Sequence, residues 1–171
     1  MRFLVVLFLL VSCASHEVRY RTEHEWVGTG GGFMHVEKRE GIVYYYRLEE
    51  VEGMLKLNLM LHNTTKKPFK ILARDFSLLW GEQEFYPREK KKIVKESIAV
   101  IETLAGSAQK QKLYELTLID RFMMDEEFQL VPDSPTKTHL LFDIPSAGLK
   151  KFGMKIGPRS KVVTVERDPK N

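Results

Sequence analysis

Cys13 is the residue best suited to covalent chemistry, and it is the only cysteine in a chain of 171 residues. Its thiolate is the nucleophilic form, able to attack an electrophilic carbon and form a stable thioether. It has no intrachain disulfide partner, so the folded part must be held by packing. Before it stand Met1-Arg2, an apolar run from Phe3 to Val11 and the small residue Ser12. That order has the layout of a secretory signal. The apolar run is too short to cross a ~30 Å hydrocarbon core as a helix.

Other reactive side chains are scattered. His16, His24, His35, His62 and His139 include no pair at a metal-ligand spacing on one helix or strand. Met34, Met54, Met60, Met123, Met124 and Met154 could supply soft thioethers to copper, although core methionines are the commoner use. Ser77, Ser97, Ser107, Ser134, Ser146 and Ser160 lack the Gly-x-Ser-x-Gly elbow of an α/β-hydrolase nucleophile. Glu49-Glu50 and Asp125-Glu126-Glu127 offer carboxylates, but a glycosidase needs two across a cleft and these are runs along the chain. Gly30-Gly31-Gly32 lacks the Lys-Ser/Thr and following helix of a phosphate loop.

Leu10-Val11-Ser12-Cys13 resembles the lipobox of bacterial lipoprotein signals, aliphatic, small or aliphatic, small, cysteine. The resemblance implies removal of residues 1–12 as a signal peptide and lipidation of Cys13 as the new first residue. Two or more acyl chains would give stable membrane anchoring. An alternative cut after Ala14, with Ser12 and Ala14 as the small pair, would release a soluble product. Ala14 beside Cys13, by resemblance to enterobacterial sorting, favours the outer membrane in an organism that has one.

Charge is unevenly spread within a formal total of +4. Residues 63–112 carry eleven basic and six acidic side chains, whereas residues 113–133 carry one and six. A solvated surface of mixed sign is the ordinary meaning, and a basic patch against anionic headgroups or an acidic partner the sharper one. Basic residues are not interleaved with stacking aromatics, which speaks against nucleic acid as a partner. No cofactor is implied.

The elements that must position any site are mostly strands. Residues 13–32 read as lipid anchor and short tether, with a hinge or turn at Thr29 to Gly32. From Phe33 onward apolar residues recur at every second position, above all Leu55, Leu57, Leu59 and Leu61, the mark of strands with one face on a core. Residues 88–128 break that rhythm. Ile93, Val94, Ile98, Val100, Ile101, Leu104 and Ala105 fall on one arc of a helical wheel, with Gly106 as its expected stop. Leu113 to Met124 is ambiguous, leaning to strand near Tyr114 and helix near Asp120. Strand patterns return from Leu140 to Arg167, and 168–171 read as a loose tail. The expected fold is mainly β, an immunoglobulin-like antiparallel sandwich over 33–167 with a helical insertion around 88–128.

The order His62-Asn63-Thr64, Pro68-Phe69, Asp75-Phe76-Ser77-Leu78, Gly81 and Phe85-Tyr86, then Leu141-Phe142-Asp143-Ile144-Pro145, resembles the telokin-like, immunoglobulin-fold domain of many bacterial lipoproteins. The resemblance covers roughly residues 33–165. It implies secretion and a sandwich, and brings no catalytic residues. The expected function is therefore a lipid-anchored envelope lipoprotein, non-enzymatic, in a protein-interaction or structural accessory role. Tyr45 and the basic run Lys90, Lys91 and Lys92 are its candidate contacts for an envelope protein partner. A small-ligand or copper carrier is the alternative, and an unrecognised hydrolase the second.

Overall fold

A computed structural model describes residues 20–29, 32–51, 53–145 and 148–168. The signal segment, Cys13 with its lipid anchor, and the last three residues of the tail lie outside the described residues.

Strand spacing and pairing build two five-stranded antiparallel sheets. The first has the order β10 (Thr136–Asp143), β5 (Met54–Asn63), β4 (Ile42–Val51), β3 (Gly32–Arg39), β2 (Glu25–Thr29). The second has the order β1 (Tyr20–Thr22), β12 (Val163–Arg167), β11 (Lys151–Lys155), β7 (Ser77–Trp80), β8 (Gln83–Phe85). A short ladder of β6 (Phe69–Leu72) with β9 (Glu127–Leu130) contributes the buried Ile71 and Leu130 to the same core. The protein is thus mainly β and its antiparallel sheets form a sandwich. Its strand order runs β2-β3-β4-β5 as one meander within a sheet, whereas an immunoglobulin constant-type domain divides its strands ABED and CFG.

The core follows from period two. Ile42, Tyr44, Tyr46 and Leu48 of β4 and the four alternate leucines of β5 face Leu78, Phe152, Met154 and Val165 of the other sheet. Each such aliphatic or aromatic side chain, fully buried, contributes roughly 1.5–3 kcal/mol. The turn after β5 is held by Asn63, which is fully buried. Its amide donates to the Lys67 and Leu130 carbonyls at 2.8 and 3.2 Å and accepts from the Thr65 amide and hydroxyl at 3.0 and 2.7 Å. The Asp75 carboxylate accepts the Leu72 N–H at 2.7 Å and closes the 3-10 turn Ala73–Asp75 before Phe76 enters the core. These are structural duties for Asn63 and Asp75.

Two helices fill the stretch whose rhythm breaks, α1 (Lys90–Thr103) and α2 (Gly106–Phe122). They form a hairpin inserted between β8 and β9. Gly106, at φ +65°, opens α2; it does not stop α1, which ends at Thr103 with Leu104 extended. Tyr114 is helical, not in a strand. The segment 20–29, expected in the tether, supplies β1 and β2 to the two sheets, so the folded unit begins at Tyr20 among the described residues. Tyr20 is buried and its ring meets Phe152 edge-on at 5.5 Å, contacts that sequence spacing does not reveal. At the other end Asp168 is buried and pairs with Arg21 at 2.9 Å, so the tail is fixed at its first residue.

Candidate functional site: a groove between a sheet and a helix

The outer face of the first sheet is not fully solvated. Its register places Arg47, Asn58 and His139 in one cross-strand row, Glu49, Lys56 and Leu141 in the next, and Tyr45, Met60 and Lys137 on the other side. Opposite this floor, α2 presents Glu115, Leu118, Ile119 and Phe122. Their spacing of 3, 4 and 7 puts them on one helical face. Floor and helix enclose a groove of about 630 Å³, within the ~300–1,000 Å³ usual for small-molecule sites. The helices are fixed there by a small satellite core of Ile93, Met123 and Leu141, with Met54 and Ile119 against it. Thr138 adds a hydrogen bond from its hydroxyl to the Phe122 carbonyl at 2.9 Å.

Much of the groove wall is apolar yet uncovered. Val51, Leu118 and Phe122 are 38, 38 and 40 % exposed. An occupant covering them would gain roughly 1 kcal/mol from each.

The polar part of the floor is concentrated on one carboxylate. Glu49 accepts from the Asn58 amide at 2.8 Å and lies 3.3 Å from both Arg47 and Lys56. Burial alone would raise its carboxyl pKa, but the Asn58 hydrogen bond and the two cations outweigh that and hold it below the ordinary value. Glu49 therefore stays ionised at neutral pH. His139 beside it is pushed down to about 4, first by burial and then by the Lys56 charge, with Lys90 acting the same way and Glu49 opposing. It is neutral at pH 7.

The sequence candidates divide. Lys90 is largely covered, its side chain 15 % exposed and its ammonium 3.2 Å from Asp125, so it is not an open contact. Lys91 and Lys92 are exposed on α1. Tyr45 is half-buried on the outer face, paired in register with Val36 and Met60. Glu49 and Glu50 point to opposite faces, since Glu50 accepts from the Tyr20 hydroxyl on the inner side. They do not form a carboxylate pair across a cleft. Met34, Met54, Met60 and His139 all line the groove. However, Met54 and Met60 are six residues apart on β5, ~20 Å at the strand rise, and Met34 lies two strands from β5. Only Met60 and His139 are diagonal neighbours, so the thioethers do not converge on one point. Among the described residues no group of three or more His, Cys, Asp or Glu is placed to hold a metal ion.

A second polar cluster sits inside the sandwich edge. The Tyr46 hydroxyl is 2.7 Å from His24 Nδ1 and 3.2 Å from the Thr22 hydroxyl. His35 is buried with Nδ1 3.2 Å from the His24 carbonyl, under Trp26. Burial raises the Tyr46 phenol and lowers the His35 imidazole, so both stay neutral. These contacts tie β1 and β2 onto the sheets, and we read them as structural.

Among the described residues no helix is long and apolar enough to cross a membrane. Comparison with protein families, with curated proteins and with solved structures returns no match.

Proposed function

We propose that this chain is a lipid-anchored envelope protein, attached through Cys13, whose sandwich binds a small, largely apolar ligand under α2. The observation that carries the ligand reading is the half-exposed apolar wall of Val51, Leu118 and Phe122 in a groove of ligand size. It moves small-ligand binding ahead of the protein-interaction role favoured by the sequence. Outer-membrane delivery rests on Ala14 beside Cys13 and belongs to the same proposal.

Two experiments test it. Nile red, a neutral environment-sensitive dye, should bind the full-length Cys13→Ser protein with micromolar affinity and a blue-shifted emission. Met60→Trp, which fills the floor, should weaken that binding at least fivefold while leaving the circular dichroism unchanged. Equal binding by both proteins would remove the groove from consideration. For the anchor, Cys13→Ser should abolish incorporation of labelled palmitate and release the protein from membranes, and persistent labelling would refute attachment at Cys13.

A second reading keeps a partner contact on α1. Lys91 and Ile98, seven residues apart on one helical face, are both exposed. Lys91→Glu should then weaken association with an acidic envelope partner without changing dye binding.

A further inference from the structure

We infer that the ligand is an anionic single-chain amphiphile, its carboxylate or phosphate head on Arg47 and Lys56 and its chain beneath Leu118 and Phe122. This rests on the groove reading above.

Charge complementarity supplies the argument. Arg47, Lys56, Lys137 and Glu115 are the charged side chains lining the groove, three cations to one carboxylate. Glu49 lies beside them and is shared by Arg47 and Lys56, so this trio alone keeps one net positive charge. Opposite, Glu115 is already engaged by Lys112 at 2.5 Å, which removes most of its pull on a cationic head. The donors are also in surplus. Arg47 directs one nitrogen to Glu49 at 3.3 Å, and a guanidinium has five N–H donors in a fork suited to two anionic oxygens. Lys56 directs one of three to the same carboxylate.

Position matters as much as sign. Arg47 and Lys56 are only 35 and 28 % exposed, so a charge brought to them is partly desolvated and the attraction exceeds that of a surface pair. His139 stands in the same row as Arg47 and is kept neutral first by burial and then by the Lys56 charge, with Glu49 opposing and Lys90 adding to it, so it does not add to the positive charge of the floor. Leu118 and Phe122 of α2 line the same groove as Arg47 and Lys56. A head on the floor therefore leaves its chain against Leu118 and Phe122. A neutral ligand would leave the positive charge unanswered, and a cationic one would meet it head on.

The test uses the full-length lipidated protein on phosphatidylcholine vesicles. Diazirine-bearing dodecanoate, dodecyl phosphate, dodecanol and dodecylamine are photocrosslinked at equal concentration, and modified peptides are mapped by mass spectrometry. The expected result is labelling of residues 113–122 by either anionic probe on the order of tenfold above dodecanol, with dodecylamine lowest. Arg47→Gln with Lys56→Gln should bring labelling by the anionic probes down to the level of dodecanol on the same variant, and an unchanged circular dichroism spectrum and a cooperative thermal transition show that the variant is folded. Equal labelling of 113–122 by dodecanol and dodecanoate in the wild type would overturn the anionic head while leaving the groove. An unchanged preference in the double variant would overturn its placement on Arg47 and Lys56. Absence of labelling by every probe would overturn the groove reading itself.

Discussion

Acidification should weaken the fold through His139 from about pH 6.5 downward, a range that starts above the ordinary carboxylate values. An ordinary imidazole titrates near 6.5, whereas burial and the neighbouring Lys56 push His139 down to about 4. Between those values the unfolded chain takes a proton that the native state resists, so stability falls as pH drops from 6.5 to 4 and levels off below. Each tenfold difference in proton affinity between the two states is worth ~1.36 kcal/mol, which sets a ceiling of ~3.4 kcal/mol. His139 opens onto the groove, and solvent screening reduces this to about 1–2 kcal/mol. His35, also lowered by burial, loses stability in the same direction, so the wild-type slope contains both. His139→Gln separates them. Urea titrations of both proteins at pH 7.5 and 4.5 should show the variant losing about 1–2 kcal/mol less. Equal losses would mean that His139 is solvated in the native protein and that water reaches the floor of the groove. Glu49, held below the ordinary carboxylate value, is present in both proteins, so any part of its contribution lost by pH 4.5 cancels in the comparison.

Further substitutions probe the frame. Gly157 has φ +82°, and a Cβ there would lie 2.5 Å from Cε1 of the fully packed Tyr44 ring. Gly157→Ala should cost about 2–4 kcal/mol by strain and overpacking, and a loss under ~1 kcal/mol in thermal or urea unfolding would contradict that packing. Gly153→Ala is the control: its Cβ would meet Val162 Cγ1 at 2.7 Å, but Val162 is 49 % exposed and can turn aside, so the loss should stay below ~1.5 kcal/mol. Asn63→Ala leaves the Lys67 and Leu130 carbonyls without their side-chain donor and should cost about 2–3 kcal/mol in urea unfolding; a neutral result would place water at that turn.

The β layer was legible because β5 alternates without a fault, each leucine buried and each intervening residue half-open. The edge strands β1 and β2 were not legible. They are short, and Tyr20 is buried only because β12 and Phe152 come to it from far along the chain. The ambiguity of Leu113 to Met124 has a physical source. Leu118, Ile119 and Phe122 share the groove face whereas Leu113 and Tyr114 stand exposed to solvent, so no single polar face is spared. The groove itself left one trace in the sequence. Leu140-Leu141-Phe142 breaks strict alternation, and Leu141 is buried on the outer face where a solvated strand would carry a polar residue. Three adjacent apolar residues therefore signal a sheet covered on both sides. The Arg47, Glu49, Lys56 and His139 constellation left no such trace, because three strands bring it together.

Among the described residues the helical hairpin is joined to the sheet through a satellite core of three buried side chains, whereas the main core unites twenty-one. The two should consequently not open together. Amides of α1 and α2 should exchange through a local, low-energy opening while those of β4 and β5 wait for global unfolding. For a bound molecule, that makes the roof a clamp. Entry would not wait on that motion, because Val51, Leu118 and Phe122 already stand open to solvent, but release would quicken each time the hairpin lifts. A substitution such as Ile93→Ala, at a residue that packs on the groove-lining Leu141 without lining the groove itself, would then speed release more than entry and lower the equilibrium affinity.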